Sequence, residues 1–171
     1  LFVVDFSGSM EEEITLKTST TSTKSGTKTT KAKLVVDELR RIVLALPEQS
    51  YFNIVVFSDG VRVWRPTRGG RPELVRLDDD ARDDLLGSFL QSLQPRGPTN
   101  LHDALNTAIG FAGQGLKDRY YDVGFDTIYV LSDGAPSYGP VTDKDEIRRL
   151  VREANRLERL TIHAITFGSQ N

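Results

Sequence analysis

The sequence predicts an α/β fold: a doubly wound, mostly parallel sheet with helices on both faces and one antiparallel edge strand. Three observations support this prediction. Short apolar runs of strand length alternate along the chain with longer segments whose apolar residues repeat at helical spacing. Two of the runs are continuously apolar, which is typical of parallel strands covered on both faces. Each of these two runs ends at a polar turn, the place where open α/β sheets bind their ligands.

The composition is that of an ordinary globular domain. The chain has 171 residues, of which 38% are hydrophobic and 27% charged, enough for one domain with a sizeable core. A net charge of −2 favours neither nucleic acid nor an anionic membrane as partner. No apolar run approaches the ~18 residues needed to cross a bilayer, so direct membrane insertion is not expected. The absence of cysteine excludes disulfides and thiolate metal sites.

The first predicted strand ends in the most informative turn of the chain. Apolar residues 1–4 lead into Asp5, followed by Ser7 and Ser9 at alternate positions, with Gly8 between the two serines. The glycine permits a tight turn that brings the three oxygen-bearing side chains together. A carboxylate with two hydroxyls suits a hard cation such as Mg²⁺. The alternative is a plain strand-to-helix turn in which Asp or Ser caps the next helix.

Residues 17–31 form a segment of unusual composition, containing only Lys, Thr, Ser and one Gly. Such a segment buries too little apolar surface to offset the entropy of ordering, so it predicts a flexible insertion. It could be a loop that contacts a ligand or gates the site. We favour a tolerated surface insertion, because surface loops accept added length at little cost.

The remaining elements follow from periodicity and from turn residues. Strands are predicted at 52–57, at 61–64 (antiparallel, after the Asp59-Gly60 turn), at 127–131 and at 161–167. Helices are predicted from Ala32 to Pro47, and at 81–93, 101–112 and 143–160. The chain begins inside a strand and ends without the helix that should follow its last strand. We therefore expect a single domain over residues 1–171, taken from a longer protein.

Two later turns add oxygen donors to the first. The strand 127–131 ends at Ser132-Asp133-Gly134, so a second carboxylate is expected at the same sheet edge as Asp5. Thr99 lies just before a predicted helix, where its hydroxyl could cap the helix or bind a metal.

This combination resembles the von Willebrand factor type A family with its metal-ion-dependent adhesion site. The resemblance covers residues 1–168 and rests on Asp5-x-Ser7-x-Ser9, on Thr99 in Gly97-Pro98-Thr99-Asn100-Leu101, and on Asp133 in Leu131-Ser132-Asp133-Gly134. All five positions of the family's metal motif are present. Within the family, residues 52–58 and 63–66 resemble the subgroup that contains the inter-alpha-trypsin inhibitor heavy chains.

The resemblance implies a Rossmann-like sheet that carries one Mg²⁺ or Mn²⁺, in preference to Ca²⁺, on its upper edge. Ser7, Ser9 and Thr99 would supply hydroxyl oxygens, while Asp5 and Asp133 would ligate the ion or hold waters. Such domains bind proteins and usually catalyse nothing, and an extracellular or cell-surface location is slightly favoured. Five protein oxygens leave at least one position of an octahedral ion open, which suits an Asp or Glu carboxylate of a protein partner. No oligomeric state is predicted.

Two other functions stay open: a hydrolase that uses Mg²⁺ and Asp5 on a phosphate ester, and a scaffold subunit of an intracellular ATPase, a role that some family members have. Other catalytic motifs are missing from the sequence, including the Gly-x-Ser-x-Gly elbow and the phosphate-binding loop. A phosphatase of the haloacid dehalogenase type would carry a second Asp where Ser7 stands. His102 is expected on a helix surface and His163 in a packed core or interface, so no Ser-His-Asp set is expected.

Overall fold

The computed structural model describes residues 1–16, 27–66, 74–112 and 127–166. The strands in these ranges are β1 Phe2–Asp5, β2 Glu13–Leu16, β3 Thr27–Thr30, β4 Tyr51–Phe52, β5 Ile54–Phe57, β6 Val61–Val63, β7 Val75–Arg76, β8 Thr127–Ser132 and β9 Thr161–Thr166. The α-helices are α1 Lys31–Ala45, α2 Asp79–Asp84, α3 Leu101–Ala112 and α4 Lys144–Glu158. A 3₁₀ turn at Gly8–Glu11 follows β1.

Five of the strands form the central sheet, in the order β6-β5-β1-β8-β9. β1 lies in the middle and pairs in parallel with both β5 and β8. β9 continues the sheet in parallel beyond β8, whereas β6 is antiparallel to β5 and forms the edge. The structure therefore confirms the predicted fold class, including the single antiparallel edge strand of this sheet.

Helices cover both faces of the sheet, because successive side chains of each strand point to opposite faces. Val4 and Val56 face a core built with α1 and α2, while Val3 and Val55 face a second core built with α3 and α4. These side chains are 0–6% exposed, and each contributes about 1.5–3 kcal/mol through removal from water. The two cores fix β1 so firmly that the turn after Asp5 starts from a rigid base.

Two predicted elements differ from the structure. The predicted strand 52–57 is divided at Asn53, whose side chain bonds the backbone of Ile54 and of Arg65, so residues 51–52 pair instead with β7. The predicted helix 81–93 is α2 followed by a π-helical turn at Leu85–Phe89 and a 3₁₀ turn at Leu90–Ser92. Gly and Ser are poor formers of regular helix, and they occupy positions 87 and 88 of the π-helical turn.

The segment 17–31 contains regular structure at its carboxyl end. Thr27–Thr30 pairs antiparallel with Glu13–Leu16, and α1 begins at Lys31, one residue earlier than predicted. These five residues are therefore ordered parts of a hairpin and a helix. Residues 17–26 lie outside the described residues, and their predicted flexibility stays a prediction.

Other elements agree with the sequence, with α3 matching the predicted bounds. His163 does not lie in a packed core: its side chain is exposed on β9, where the ring stacks on Tyr129 with 5.1 Å between centroids. Its alternative role in an interface stays a prediction. Among the described helices, none has the length and apolar character needed to cross a membrane.

Candidate metal centre

The predicted site residues converge at the carboxyl ends of β1 and β8, two neighbouring strands of the sheet. From β1 the chain passes through α1 to β5 on one side, and it returns later through α3 to β8 on the other side. The order of the strands thus reverses between β1 and β8. A crevice forms at such a switch point, and it is where open α/β sheets bind ligands.

Asp5 is completely buried, and both of its carboxylate oxygens accept hydrogen bonds. Oδ1 accepts from the backbone N–H of Ser7 at 2.8 Å, and Oδ2 accepts from the Ser132 hydroxyl at 2.6 Å. These bonds fix the carboxylate and fold the turn back over the end of β1. Ser132 is not among the site residues that the sequence predicts. The signal that could have identified it is a hydroxyl at the end of a buried strand, directly before Asp133.

The hydroxyls of the site lie side by side. Ser7 Oγ is 3.1 Å from Ser9 Oγ, and Ser9 Oγ donates to Asp133 Oδ1 at 2.8 Å. A methyl group placed on Gly134 would lie 3.9 Å from both Ser9 Oγ and Thr99 Oγ1, so these two hydroxyls border the same small space. The structure therefore brings all five predicted side chains to one point of the sheet edge.

Backbone hydrogen bonds join the turn after β1 to the loop that carries Thr99. Gly8 N–H donates to the carbonyl of Gly97 at 2.8 Å, and Arg96 N–H donates to the carbonyl of Phe6 at 2.9 Å. Gly97 has φ of 66°, a conformation that favours glycine. Since these contacts are made by backbone atoms, the distance between the two loops depends little on neighbouring side chains.

Thr99 does not cap α3, because Asn100 does. The Asn100 Oδ1 atom accepts from the backbone N–H of Asp103 at 3.2 Å, and its Nδ2 donates to the Asp103 carboxylate at 2.8 Å. The Thr99 carbonyl accepts from the N–H groups of Ser137 and Tyr138, which holds the residue in place. The Thr99 hydroxyl is thus left for the site, and the alternative of a simple cap is wrong.

Asp103 connects this cap to His102, whose Nδ1 lies 2.9 Å from Asp103 Oδ1. Hydrogen bonds from His102 and then from Asn100 lower the pKa of the Asp103 carboxyl below its ordinary value, against the opposing effect of burial. The His102 side chain is 14% exposed at the start of α3, less than the predicted helix-surface position implies.

Lys31, the last residue of the predicted insertion, lies at the site. Lys31 Nζ donates to Asp133 Oδ2 at 2.8 Å and also to Glu12 Oε2. Burial lowers the pKa of Lys31, but the hydrogen bonds and charges of Asp133 and Glu12 outweigh burial and raise the pKa above its ordinary value. No sequence pattern indicates this contact, because Lys31 and Asp133 are 102 positions apart.

The donor set fits a hard divalent cation. It contains two carboxylates and three hydroxyls, all oxygen, on three loops that backbone hydrogen bonds hold together. Within the described ranges, no group of three or more His, Cys, Asp or Glu side chains could hold a metal. A cation here would therefore depend on the hydroxyls, since Ser7 N–H, Ser132, Ser9 and Lys31 already bond the carboxylates.

Comparison with known proteins bears on this arrangement. A family profile described as von Willebrand factor type A domain matches residues 12–171. Inter-alpha-trypsin inhibitor heavy chain H1 of Sus scrofa is 28% identical over 170 residues, which are 98% of this chain and 16% of that protein. Heavy chain H4 of Homo sapiens is 30% identical over 155 residues, 90% of this chain and 14% of that protein. The chain thus spans 14–16% of the length of these two relatives.

Solved structures give the same fold. A von Willebrand factor type A protein from Catenulispora acidiphila has a TM-score of 0.68 at 17% identity, over 98% of this chain and 32% of that one. Proximal thread matrix protein 1 of the mussel byssus, described with a zinc-occupied metal-ion-dependent adhesion site, has a TM-score of 0.57 at 18% identity, over 98% of this chain and 35% of that one.

Proposed function

Because the chain belongs to the von Willebrand factor type A domain family, we propose that it is a protein-binding module whose adhesion depends on a divalent metal ion. The observation that carries this proposal is the continuous set of oxygen donors at the ends of β1 and β8, from Ser7 through Ser9 to Asp133. Thr99 lies at the same edge, and its hydroxyl does not cap α3, because Asn100 does so.

The hydroxyls of Ser7, Ser9 and Thr99 would hold the ion directly. Asp5 and Asp133 would accept hydrogen bonds and supply the negative charge that balances it. When bound, the ion supplies a Lewis-acidic position that favours an anionic oxygen. We therefore expect the partner to contribute an Asp or Glu carboxylate, while neighbouring loop residues determine which protein is accepted.

Mg²⁺ and Mn²⁺ are the proposed ions, because oxygen-only sites suit them. The mussel byssus protein is described with zinc at its adhesion site, so Zn²⁺ belongs in any comparison of ions. We also propose an extracellular or cell-surface setting, which is supported by the name of the mussel byssus protein, a thread matrix protein.

Binding is favoured over phosphoester hydrolysis by the state of Asp5. A nucleophilic carboxylate needs an accessible oxygen, whereas Asp5 is 0% exposed and both its oxygens accept hydrogen bonds. We accordingly propose that the domain is not an enzyme.

A displayed peptide library tests the proposal. Peptides are selected on the domain in Mg²⁺ and eluted with chelator, then each acidic residue is replaced by its amide. We expect the selected peptides to share an essential Asp or Glu, and to lose binding in chelator and to the Asp5→Ala domain. Peptides that bind the same surface equally well in chelator would overturn the proposal.

A further inference from the structure

Lys31 is a buried cation at the edge of the candidate metal centre. Its side chain is 7% exposed, and that of Asp133, its partner, is 1% exposed. The ammonium lies 2.8 Å from Asp133 Oδ2, the oxygen that Ser9 does not bond. Among the ion pairs of the described residues, only this pair includes a carboxylate of the candidate metal centre.

The β2–β3 hairpin holds Lys31 in this place. Glu12 immediately precedes β2 and Lys31 immediately follows β3, so the two residues close the hairpin. The backbone N–H of Lys31 donates to the Glu12 carbonyl at 3.1 Å, and its ammonium contacts the Glu12 carboxylate. Lys31 is also the first residue of α1, which Thr30 caps. The lysine therefore approaches Asp133 from a fixed backbone.

Charge balance shows what this placement does. Asp5, Asp133 and Glu12 contribute three negative charges at the site, and Lys31 cancels one of them. A divalent ion beside Asp133 would meet a carboxylate already shared with an ammonium. Two cations that share one carboxylate repel each other, and the low local dielectric of a buried pair strengthens the repulsion.

We propose that Lys31 is a built-in counter-cation that weakens divalent-metal binding by competing for Asp133, and that Glu12 moderates this competition by drawing the ammonium toward itself. The inference rests on the proposed metal site. The inference predicts opposite effects from substitutions at two residues in contact. Removal of the Lys31 charge should strengthen metal binding, whereas removal of the Glu12 charge should weaken metal binding.

The test is calorimetric titration of Mn²⁺ into the whole chain carrying Lys31→Met, which keeps the length of the side chain and removes its charge. We expect metal to bind about tenfold or more tightly than in wild type. Lys33→Met is the matched control, since Lys33 lies on the same helix, is 67% exposed and pairs with Asp37. That variant should bind metal as wild type does.

Glu12→Gln supplies the second arm, and it keeps the test decisive if Lys31→Met fails to fold. The Glu12 side chain is 66% exposed, so folding should tolerate the change. We expect metal affinity to fall about threefold or more relative to Glu13→Gln, which removes an equal charge from the next residue. Equal affinities in that pair would contradict the role of Glu12.

The outcomes separate the inference from the metal site itself. If wild type binds Mn²⁺, Asp5→Ala does not, and Lys31→Met is unchanged or weaker, the inference is overturned while the metal site stands. If Lys31→Met binds metal and wild type does not, the inference is supported and metal-dependent binding by the native domain is contradicted. If neither binds, both are overturned.

Discussion

Ser132 places Asp5, although it belongs to no recognised position of the metal motif. Its hydroxyl donates at 2.6 Å to an oxygen of a completely buried carboxylate. Ser132→Ala leaves that oxygen without its donor, which costs about 1–3 kcal/mol of folding free energy. We expect chemical denaturation to show this loss and calorimetry to show metal binding weakened about fivefold or more.

Ser92→Ala is the control for this prediction. Ser92 also donates a hydroxyl hydrogen bond, to the carbonyl of Phe89 at 2.7 Å, but it lies outside the candidate centre. It should leave metal affinity unchanged. If Ser132→Ala affects metal binding no more than Ser92→Ala does, the hydroxyl of Ser132 has no part in positioning Asp5.

Position 139 requires glycine, because the side chain of Asn100 leaves no space there for a Cβ atom. Its φ is 102°, and a Cβ there would lie 2.2 Å from Asn100 Oδ1, the atom that caps α3. Gly139→Ala should therefore destabilise the fold by about 2 kcal/mol or more and displace the loop next to Thr99. Gly110→Ala is the matched variant, because that helical position is open; there we expect a gain of about 0.5–1 kcal/mol. Equal effects of the two variants in thermal denaturation would contradict this reasoning.

At the scale of elements, the start of α1 couples the hairpin to the candidate metal centre. The Thr30 hydroxyl accepts from Lys33 N–H at 3.2 Å and caps the helix whose first residue is Lys31. Thr30→Ala should cost about 1 kcal/mol and speed hydrogen exchange in the first turn of α1. Asp143→Ala, which removes the corresponding cap of α4, should speed exchange in the first turn of α4 instead. Unchanged exchange around Lys31 in Thr30→Ala would show that the cap does not hold the lysine.

The elements differ in how far the sequence predicts them. Continuously apolar β1 and strongly periodic α3 were predictable because their patterns reflect burial directly. The β2–β3 hairpin was missed, since β3 contains only Thr and Lys, β2 offers only Ile14 and Leu16 as apolar residues, and the two strands are held by pairing with each other. The π-helical turn was missed because its apolar spacing looks helical while its hydrogen bonding is not.

The candidate site shows a similar division. Asp5, Ser7, Ser9, Thr99 and Asp133 carry a motif, and the structure brings them together. Ser132 and Lys31 carry none, and their contacts arise only when distant segments of chain meet. The candidate metal ligands were thus predictable from the sequence. The residue that positions Asp5 and the lysine that pairs with Asp133 were not, because their contacts depend on tertiary structure.

For the whole molecule, metal binding should appear as added stability. The candidate donors lie on loops that follow β1, precede α3 and follow β8, so an ion would link distant parts of the chain. At a free concentration 100 times Kd, a ligand of the native state adds about 2.7 kcal/mol. We expect the melting temperature to rise by about 5–10 °C in Mg²⁺ relative to chelator, and not to rise in Asp5→Ala. An equal rise in that variant would place the stabilising ion elsewhere.

A crystal structure of the domain grown with Mn²⁺, with anomalous scattering used to locate the ion, tests the proposed metal site most directly. We expect one strong peak per chain, bounded by the hydroxyl oxygens of Ser7, Ser9 and Thr99 and adjacent to Asp133. A well-ordered site with no peak there, or a peak held by other residues, would contradict it.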